Sequence, residues 1–418
     1  MEAPTIYTAD AQTPPASEAD LPARTDVAIV GGGLTGLSAA YHLNHLGFQV
    51  TLLEAGEIAN GASGRNGGQL HPGQRRDHRW LTKTLGASLA DGLWRLGDEA
   101  LALTHTLRET LGAPADFRPG LITAAHTSAA LDDALADAEH LAARFNTPFE
   151  RLDRAALAAR IGTQRYVGGL CDPTGGHMNP AAFAAALAQE AHVAGAHLIR
   201  NARVSGFART PRGFALSARG QTVMAQTVVF AGNGMMRGLV PWLDARIVPL
   251  RNYILATQPL RPALIPRGEA VADTRFVIRY FRQDLKRRMV FGGGESFGAG
   301  PRDIAGFVRR YLAEVYPDLR GAKVAAAWGG TLGITRDRMP LIRRLEPGVY
   351  VAAGFSGQGL ALSTFAGKII ADAVGGEASR VDVFARLPAP KFPGGRPFAK
   401  TLAQLGIATF AIRDRLGA

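Results

Sequence analysis

The stretch DVAIVGGGLTGLSAAYHL, residues 26–43, carries the strongest fold signal in the chain. The apolar run that ends at Val30 predicts a β-strand, and Leu37–Leu46 has the spacing of a helix. A second strand is predicted over Phe48–Leu53. Between the first strand and the helix, GGGLTG matches the pattern G-x-G-x-x-G. A strand, glycine turn, helix and strand within roughly thirty residues form one βαβ unit of a dinucleotide-binding domain.

The three glycines of this turn have different predicted roles. Gly31 permits the tight turn, Gly33 lets the backbone approach a pyrophosphate, and Gly36 lets the helix pack closely against the strand. The phosphates would lie at the positive end of the helix, beside Leu34 and Thr35.

An acidic residue, Glu54, follows Gly36 by eighteen positions at the end of the second predicted strand. A carboxylate at this place accepts hydrogen bonds from ribose hydroxyls and disfavours a 2′-phosphate, so NADP is not expected. Ala55 is expected to border the same site. The turn and the acid together leave FAD and NAD open.

Three further glycine-rich segments bear on that choice. The loop Gly61–Gln69 (GASGRNGGQ) is long enough to lie along an extended dinucleotide and reach an isoalloxazine ring, which favours FAD. Ala231-Gly232 ends an apolar strand, and Gly354–Leu360 joins a strand to a helix whose N-terminus could stabilise negative charge on a reduced flavin. The predicted FAD-binding residues are Gly31, Gly33, Leu34, Thr35, Gly36, Glu54, Ala55, Ser63, Arg65, Asn66, Gly67, Gly68, Gln69, Val204, Ala231, Gly232, Gly354, Ser356, Gly357, Gln358, Gly359 and Leu360.

With these motifs the chain resembles the D-amino-acid-oxidase-like family of FAD-dependent oxidoreductases, which includes sarcosine and glycine oxidases. The resemblance runs from about Asp26 to Ala373 and includes the segment Asp172–Gly176 and the triplet Phe291-Gly292-Gly293. The loop SGRNGGQ, residues 63–69, looks most like the γ-glutamylputrescine oxidase branch of the family.

The resemblance implies oxidation of a C–N bond. The neutral amine would give a hydride to flavin N5, the imine would hydrolyse to an aldehyde and ammonia or a smaller amine, and O2 would reoxidise the flavin to give H2O2. Some relatives bind FAD covalently through Cys or His. Because Cys171 lies far from the usual position and Arg65 stands at the position of a linking His, non-covalent FAD is expected here, although His71 lies just beyond the loop.

One departure from the family pattern concerns the substrate. Amino-acid oxidases of this family usually carry R-P-x-T-x-D-x-x-P, whose arginine often binds the substrate α-carboxylate; here the stretch is LGITRDRMP, residues 332–340. Leu332 cannot make a bidentate ion pair with a carboxylate. This favours an amine or an acylated polyamine over a small α-amino acid, unless Arg336 compensates. A sarcosine-, glycine- or D-amino-acid-type oxidase therefore stays an alternative.

Five side chains are candidates for catalytic helpers, although residues of these types are more often structural than catalytic: Arg65, His71, Tyr253, Trp328 and Arg336. Trp328, flanked by glycines, could form a wall of the pocket that suits an amine. Arg279 or Arg282, in an arginine-rich stretch expected at a solvated sheet edge, could meet an acidic distal group of the substrate.

Composition limits the other functions. A chain of 418 residues with 47% hydrophobic and 20% charged residues is globular and large enough for two domains. Its single cysteine, Cys171, excludes an intramolecular disulfide, and no metal site is predicted. The absence of a signal-peptide pattern and of a run of about 18 apolar residues predicts a cytoplasmic protein.

The formal net charge of +12 is open to several interpretations, including a basic surface, an anionic substrate, RNA or a membrane. No RNA-binding module with aromatic platforms is found, so no nucleic-acid partner is expected, and a flavoprotein acting in RNA modification is a weaker alternative. An amphipathic helix predicted over residues 401–415 would pack on the body of the protein or touch a membrane. Membrane contact would suit a dehydrogenase that passes electrons to a quinone.

The expected fold class is α/β, with a Rossmann-type FAD-binding domain and an inserted α+β substrate domain on a mixed or antiparallel sheet. Segments 24–90, 150–240 and 328–385 are assigned to the FAD-binding domain, and segments 91–149 and 241–327 to the substrate-binding domain. Residues 1–23 are expected to form a loose N-terminal arm, and residues 386–418 a C-terminal tail.

Overall fold

A computed structural model of the protein describes residues 3–7, 13–18, 20–112, 115–298 and 300–393. Two mixed sheets and the helices packed on them form the structure. The strands are β1 Arg24–Val30, β2 Val50–Leu53, β3 Gln69–Leu70, β4 Arg118–Ala125, β5 Glu150–Leu152, β6 Gly168–His177, β7 His197–Ile199, β8 Val204–Thr210, β9 Gly213–Ala218, β10 Gln221–Phe230, β11 Val248–Pro259, β12 Ala270–Asp273, β13 Tyr280–Gln283, β14 Arg288–Ser296, β15 Val324–Ile334, β16 Leu341–Glu346 and β17 Val349–Ala353. The helices are α1 Leu34–His45, α2 Ala62–Arg65, α3 His78–Leu85, α4 Ala87–Thr110, α5 Ser128–Phe145, α6 Arg154–Ile161, α7 Pro180–Val193, α8 Pro241–Asp244, α9 Ile304–Val315, α10 Leu360–Val374 and α11 Ser379–Ala385.

The first sheet has the predicted Rossmann-type centre. Its strands run in the order β16-β17-β10-β1-β2-β7, and β1 pairs in parallel with both β2 and β10. The end of β1 and all of β2 are buried, as expected for parallel strands covered on both faces. α1 and α10 pack against each other beside this sheet. Because the strands are parallel, the loops after β1, β2 and β10 meet at one edge.

The second sheet has the order β15-β11-β14-β13-β12-β4-β6-β3, with β5 paired to β6. It is mixed, because β12 runs parallel to β4 while the neighbouring pairs are antiparallel. β3 directly follows the glycine loop, so this loop leads from one sheet to the other. α6 contacts β6, and α9 contacts β14, β11 and β15 of this sheet.

Several sequence expectations differ from the structure. Alternating apolar residues over 221–230 predict a strand of an antiparallel sheet, but β10 pairs in parallel with β1 and β17, and only its first half pairs with β9 antiparallel. The Ala- and Leu-rich spacing over 129–160 predicts a helical stretch, which β5 interrupts. A strand predicted from the pattern over 276–281 begins only at Tyr280.

The division of the chain between the sheets also departs from the expected boundaries. β5 and β6, within the segment 150–240 assigned to the FAD-binding domain, lie in the second sheet. β15, which crosses the expected boundary at residue 328, lies there too. Conversely α4, within 91–149 for most of its length, packs on α10 beside the first sheet. The reason is that edge strands pair by hydrogen bonds across long sequence separations, which no local pattern encodes.

Residues 3–7 and 13–18, described parts of the N-terminal segment, make specific contacts that the predicted loose arm would lack. Ile6 and Tyr7 are buried, and the Tyr7 hydroxyl donates to the carbonyl of Asn66 at 2.9 Å. Ser17 forms a parallel bridge with Ile199. The helix predicted over 401–415 lies outside the described residues. In the part of the chain that the structure covers, no helix is both long and apolar enough to span a bilayer.

Candidate active site

The glycine turn after β1 packs backbone to backbone against the end of β10. Gly31 has φ +113°, and a Cβ there would lie 2.7 Å from the Gly232 nitrogen. A Cβ at Gly36 would lie within 2.0 Å of the Gly31 carbonyl oxygen. Both glycines are therefore required by close packing, as their place in the motif predicts, and neither lines the cavity described below.

The N-terminus of α1 has unsatisfied donors that face a cavity. The N-cap residue, Gly33, has no side chain to cap the helix, and among the first N–H groups that of Leu34 donates to Ser63 Oγ at 2.9 Å. Within the described ranges, the N–H groups of Gly33 and Thr35 have no acceptor. Free N–H groups at a positive helix end suit the pyrophosphate of a dinucleotide.

Glu54 lies at the end of β2 and also lines the cavity, as does Ala55. Its Oε2 accepts the Gly32 N–H at 2.7 Å, and its Oε1 accepts the Gly56 N–H at 2.8 Å. These bonds fix the carboxylate at the turn, and each oxygen keeps a second acceptor position that could receive a ribose hydroxyl.

The cavity has a volume of about 530 Å³ and extends from the loops of the first sheet to the strands of the second. Most of the residues predicted to bind FAD line it. These are Gly33, Leu34, Thr35, Glu54, Ala55, Ser63, Arg65, Asn66, Gly67, Gln69, Ala231, Gly232, Ser356, Gly357, Gln358, Gly359 and Leu360. The segments that are far apart in sequence thus meet around one space.

Three predicted residues besides the two packing glycines do not line the cavity. Gly68 has φ +79°, and a Cβ there would lie 2.0 Å from the Met178 carbonyl oxygen. Gly354 has φ +76° and donates its N–H to Asn233 Oδ1 at 2.8 Å. Both shape the turns that carry their neighbours, while Val204 is replaced at the wall by the preceding residue, Arg203.

Arg65 is buried in the cavity wall. Its Nε donates to the Gly329 carbonyl at 2.9 Å, and an Nη donates to the Ala3 carbonyl at 2.7 Å. Its own carbonyl accepts the indole N–H of Trp328 at 2.8 Å. Arg65 therefore joins the glycine loop to β15 and to the N-terminal segment.

His71 lines the cavity as an uncharged imidazole. Burial, reinforced by the charge of Arg75, lowers the pKa of His71 to about 4. The Gln69 amide nitrogen donates to the Val271 carbonyl at 2.8 Å, so its oxygen faces His71 Nε2 at 3.2 Å. Nε2 must then carry the proton, which leaves Nδ1 as an acceptor.

The other three predicted helpers are outside the cavity. Tyr253 is buried with its hydroxyl 2.6 Å from Ser296 Oγ, because on β11 it faces the core while Asn252 and Ile254 line the cavity. Trp328 is fully buried behind Arg65 and is not a wall of the pocket. Arg336 is exposed to solvent.

The arginines expected at a solvated edge are buried and engaged. Arg279 pairs with Glu314 at 2.9 Å, and Arg282 donates to the Gly67 carbonyl at 2.6 Å. Neither lines the cavity, so neither is placed to meet a distal group of the substrate.

Sequence reasoning missed several residues that do line the cavity. Charged ones include Arg75, Glu295 and Arg338, and neutral ones include Tyr280, whose hydroxyl donates to Asn252 Oδ1 at 2.5 Å. No motif marks them, since they come from the segment after β3, the end of β14 and the turn after β15. Leu332 also lines the cavity, as its place in the family pattern suggested.

Parallel central strands with a glycine turn, an acid at the second strand and a large cavity at the strand ends define the Rossmann class of dinucleotide-binding proteins. The family model for FAD dependent oxidoreductases matches residues 26–373, and the chain belongs to this family. It is an FAD-dependent oxidoreductase with a Rossmann-type FAD-binding fold.

Individual relatives cover nearly the whole chain. The probable oxidoreductase OrdL of Rhizobium meliloti is 35% identical over 94% of this chain and 92% of its own length. The γ-glutamylputrescine oxidoreductase of Escherichia coli is 34% identical over 94% of this chain and 93% of its own length. The crystal structure of glycine oxidase from Geobacillus kaustophilus superposes with a TM-score of 0.72 and 25% identity, covering 85% of this chain and 95% of that one.

Proposed function

We propose that the protein oxidises the C–N bond of a primary amine on an acylated polyamine such as γ-glutamylputrescine. The observation that carries this proposal is Leu332 on the cavity wall, at the position where the family's amino-acid oxidases usually carry a carboxylate-binding arginine. An apolar side chain there cannot pair with the α-carboxylate of glycine or sarcosine beside the reacting nitrogen. The likeness to γ-glutamylputrescine oxidoreductase supports the same choice.

FAD would be bound without a covalent link by the glycine turn, Glu54, the loop Ser63–Gln69 and the segment Ser356–Leu360. The observations that fit are the free N–H groups at α1 and the glycines whose places a Cβ would fill. Gly33 is one of these, because a Cβ there would lie 2.7 Å from Ser63 Oγ. When bound, FAD supplies the two-electron chemistry by taking a hydride from the carbon next to the amine.

The reaction needs the neutral amine, so an ammonium form of the substrate has to lose its proton before hydride transfer. Burial in the cavity wall disfavours positive charge, as the lowered pKa of His71 shows. His71 is too weak a base to deprotonate such a group, but its Nδ1 can accept an N–H of the neutral amine and orient it.

The proposed overall reaction uses O2 as the electron acceptor. The amine R–CH2–NH2 reacts with O2 and water to give the aldehyde R–CHO, NH3 and H2O2, with the imine as the intermediate that water hydrolyses. A dehydrogenase that reduces a quinone would form the same aldehyde without peroxide.

Purified protein with a flavin spectrum, assayed for aldehyde and peroxide across a panel of amines, tests this function. Turnover of γ-glutamylputrescine well above that of glycine, sarcosine and D-alanine is the expected result. Preference for glycine or sarcosine would overturn the Leu332 argument. Aldehyde without peroxide, restored by a quinone acceptor, would replace O2 and leave the substrate assignment standing.

A further inference from the structure

Three charged side chains with few protein partners line the cavity around the end of β14. Glu295 lies at the end of β14, Arg338 in the turn after β15 and Arg75 after β3, and all three line the cavity. They come from three separate segments, so their meeting is a property of the fold and not of a motif.

Arg338 keeps its hydrogen-bond donors available. Its guanidinium lies 5.6 Å from the ring of Phe276 and makes no hydrogen bond or ion pair with any residue that the structure describes. Its backbone has φ +69°, a conformation that is costly for an arginine and that directs this residue, unlike Arg336, to the cavity. A guanidinium presents up to five N–H donors, and here all of them can go to a ligand.

Arg75 is similarly available. It donates one hydrogen bond, from Nε to the Ser356 carbonyl at 3.3 Å, and this leaves its two terminal NH2 groups without an acceptor in the described ranges. Burial and the nearby charge of Arg338 lower the pKa of Arg75 to about 10, so it is still cationic at neutral pH. Two cationic groups facing one space suit a carboxylate, which accepts several charge-assisted hydrogen bonds.

Glu295 faces the same space with the opposite charge. Its carboxylate accepts no hydrogen bond and forms no salt bridge among the described residues. Burial raises the pKa of Glu295, while the charges of Arg338 and Arg75 act against this rise. The Tyr280 hydroxyl does not donate to the Glu295 carboxylate, because it donates to Asn252.

Charged groups that are taken out of water without full partners cost folding free energy. A protein retains them where a ligand provides the missing partners, and the signs here specify a ligand with one carboxylate and one ammonium group. The amine that is oxidised must be neutral, so the ammonium that Glu295 would hold belongs to a second nitrogen of the substrate.

We propose that Glu295, Arg338 and Arg75 form a subsite for the α-amino-acid end of the substrate, with the ammonium on Glu295 and the carboxylate on the two arginines. This inference rests on the proposed function, because it assigns the reacting amine to the other end of the same molecule. The substrate class is then a diamine acylated through the side chain of an amino acid whose α-amino and α-carboxyl groups are free.

The test uses γ-glutamylethylamide, which has the amino-acid end but no amine to oxidise. Its binding to the holoenzyme is measured by calorimetry and by perturbation of the flavin spectrum. We expect binding to wild type, weakened about tenfold or more in Arg338→Gln and in Glu295→Gln, since each variant removes a charged partner. Arg336→Gln, two residues from Arg338 but exposed, is the matched control and should bind as wild type does.

Steady-state kinetics separate the two charges. For γ-glutamylputrescine both variants should raise KM more than they lower kcat. N-glutarylputrescine lacks only the α-ammonium, so Glu295→Gln should leave its KM unchanged while Arg338→Gln raises it. Equal KM effects of Glu295→Gln on both compounds would contradict the assignment of the ammonium to Glu295.

Failure of the subsite and failure of the proposed function give different results. If γ-glutamylethylamide binds equally to wild type and to both variants, or does not bind while γ-glutamylputrescine is oxidised, the subsite is wrong. If it binds and the variants weaken it but no acylated diamine reduces the flavin, the subsite stands and the proposed oxidation is wrong.

Discussion

The two ends of the cavity are built in opposite ways. The cofactor end, at the loops of the first sheet, consists of backbone and small residues such as Gly33 and Gly232, and its donors are backbone N–H groups at the start of α1. The substrate end carries Glu295, from β14 of the second sheet, with Arg338 and Arg75 from the segments after β15 and β3, and the charged groups of these three residues are mostly unpaired. FAD is the same in every member of the family, so its site can be shaped by backbone, whereas a particular substrate has to be selected by side chains.

The largest effect is expected at the cofactor end. Gly31→Ala forces an L-residue to φ +113° and puts its Cβ against the Gly232 backbone, so more than about 3 kcal/mol of stability and all bound flavin should be lost. Gly47→Ala is the control, since Gly47 also has positive φ, at +89°, but has nothing within 4 Å of its Cβ. It should cost about 1 kcal/mol and keep normal flavin content. Calorimetric melting and the flavin-to-protein absorbance ratio measure both.

A smaller loss of stability is expected at Trp328, whose indole bonds to Arg65 between the two ends of the cavity. Trp328→Phe removes the indole N–H and leaves the buried Arg65 carbonyl without its donor, which should cost about 2 kcal/mol in denaturant unfolding. With the flavin saturated, kcat should change little, because Trp328 does not line the cavity. Trp242→Phe, in α8 and away from the cavity, is the control. If Trp328→Phe loses activity while its stability is unchanged, Trp328 contacts the substrate, as the sequence analysis suggested.

Between the two ends of the cavity, substitution of Leu332 should change the substrate preference. Leu332→Arg restores the arginine that is usual in amino-acid oxidases, so the ratio of kcat/KM for sarcosine to that for γ-glutamylputrescine should rise about tenfold. Leu332→Met keeps the size without the charge and should leave the ratio unchanged. If the arginine leaves the ratio unchanged as well, Leu332 does not set the substrate class.

The smallest expected effect is a pH dependence of stability at the substrate end. Burial raises the pKa of Glu295 above its ordinary value of 4.5, so the folded protein holds this proton more tightly than the unfolded chain does. The cost of ionising Glu295 therefore appears as pH rises from the unfolded pKa through the folded one, and the charges of Arg338 and Arg75 reduce it. The Tm of Glu295→Gln should therefore be higher than that of wild type at pH 8 but not at pH 4.

The control for that comparison is Glu139→Gln, on the exposed face of α5. The difference in Tm between each variant and wild type is followed across the pH range in the absence of substrate. A gain for Glu295→Gln that is the same at every pH would show that the carboxylate is not the strained group.

The same contrast explains which residues the sequence could predict. Gly31, Gly36 and Glu54 follow from spacing, because a close backbone approach requires glycine at fixed positions. The prediction that Tyr253 lines the site was wrong because side chains alternate along β11. A shift of one residue moves a side chain from the cavity to the core. Arg338, and not Arg336, lines the cavity because Arg338 has a positive φ in the turn. The sequence RDR does not reveal this backbone conformation.

The second mixed sheet was expected, but the segments that form it and the contacts of the N-terminal segment could not be predicted from the sequence. Tyr7 reaches Asn66, and β6 reaches β3 and β4, through contacts between distant segments. Composition describes such segments as polar or glycine-rich, but only pairing shows where they lie.

The central claim is that one cavity holds FAD at one end and the amino-acid end of an acylated diamine at the other. Anaerobic mixing of the holoenzyme with γ-glutamylputrescine, followed at the flavin absorbance, tests it directly and independently of the electron acceptor. The account predicts rapid bleaching with γ-glutamylputrescine, much slower bleaching with N-acetylputrescine, and none with glycine or sarcosine at the same concentration. Bleaching by glycine or sarcosine at a rate equal to or above that with γ-glutamylputrescine would contradict it.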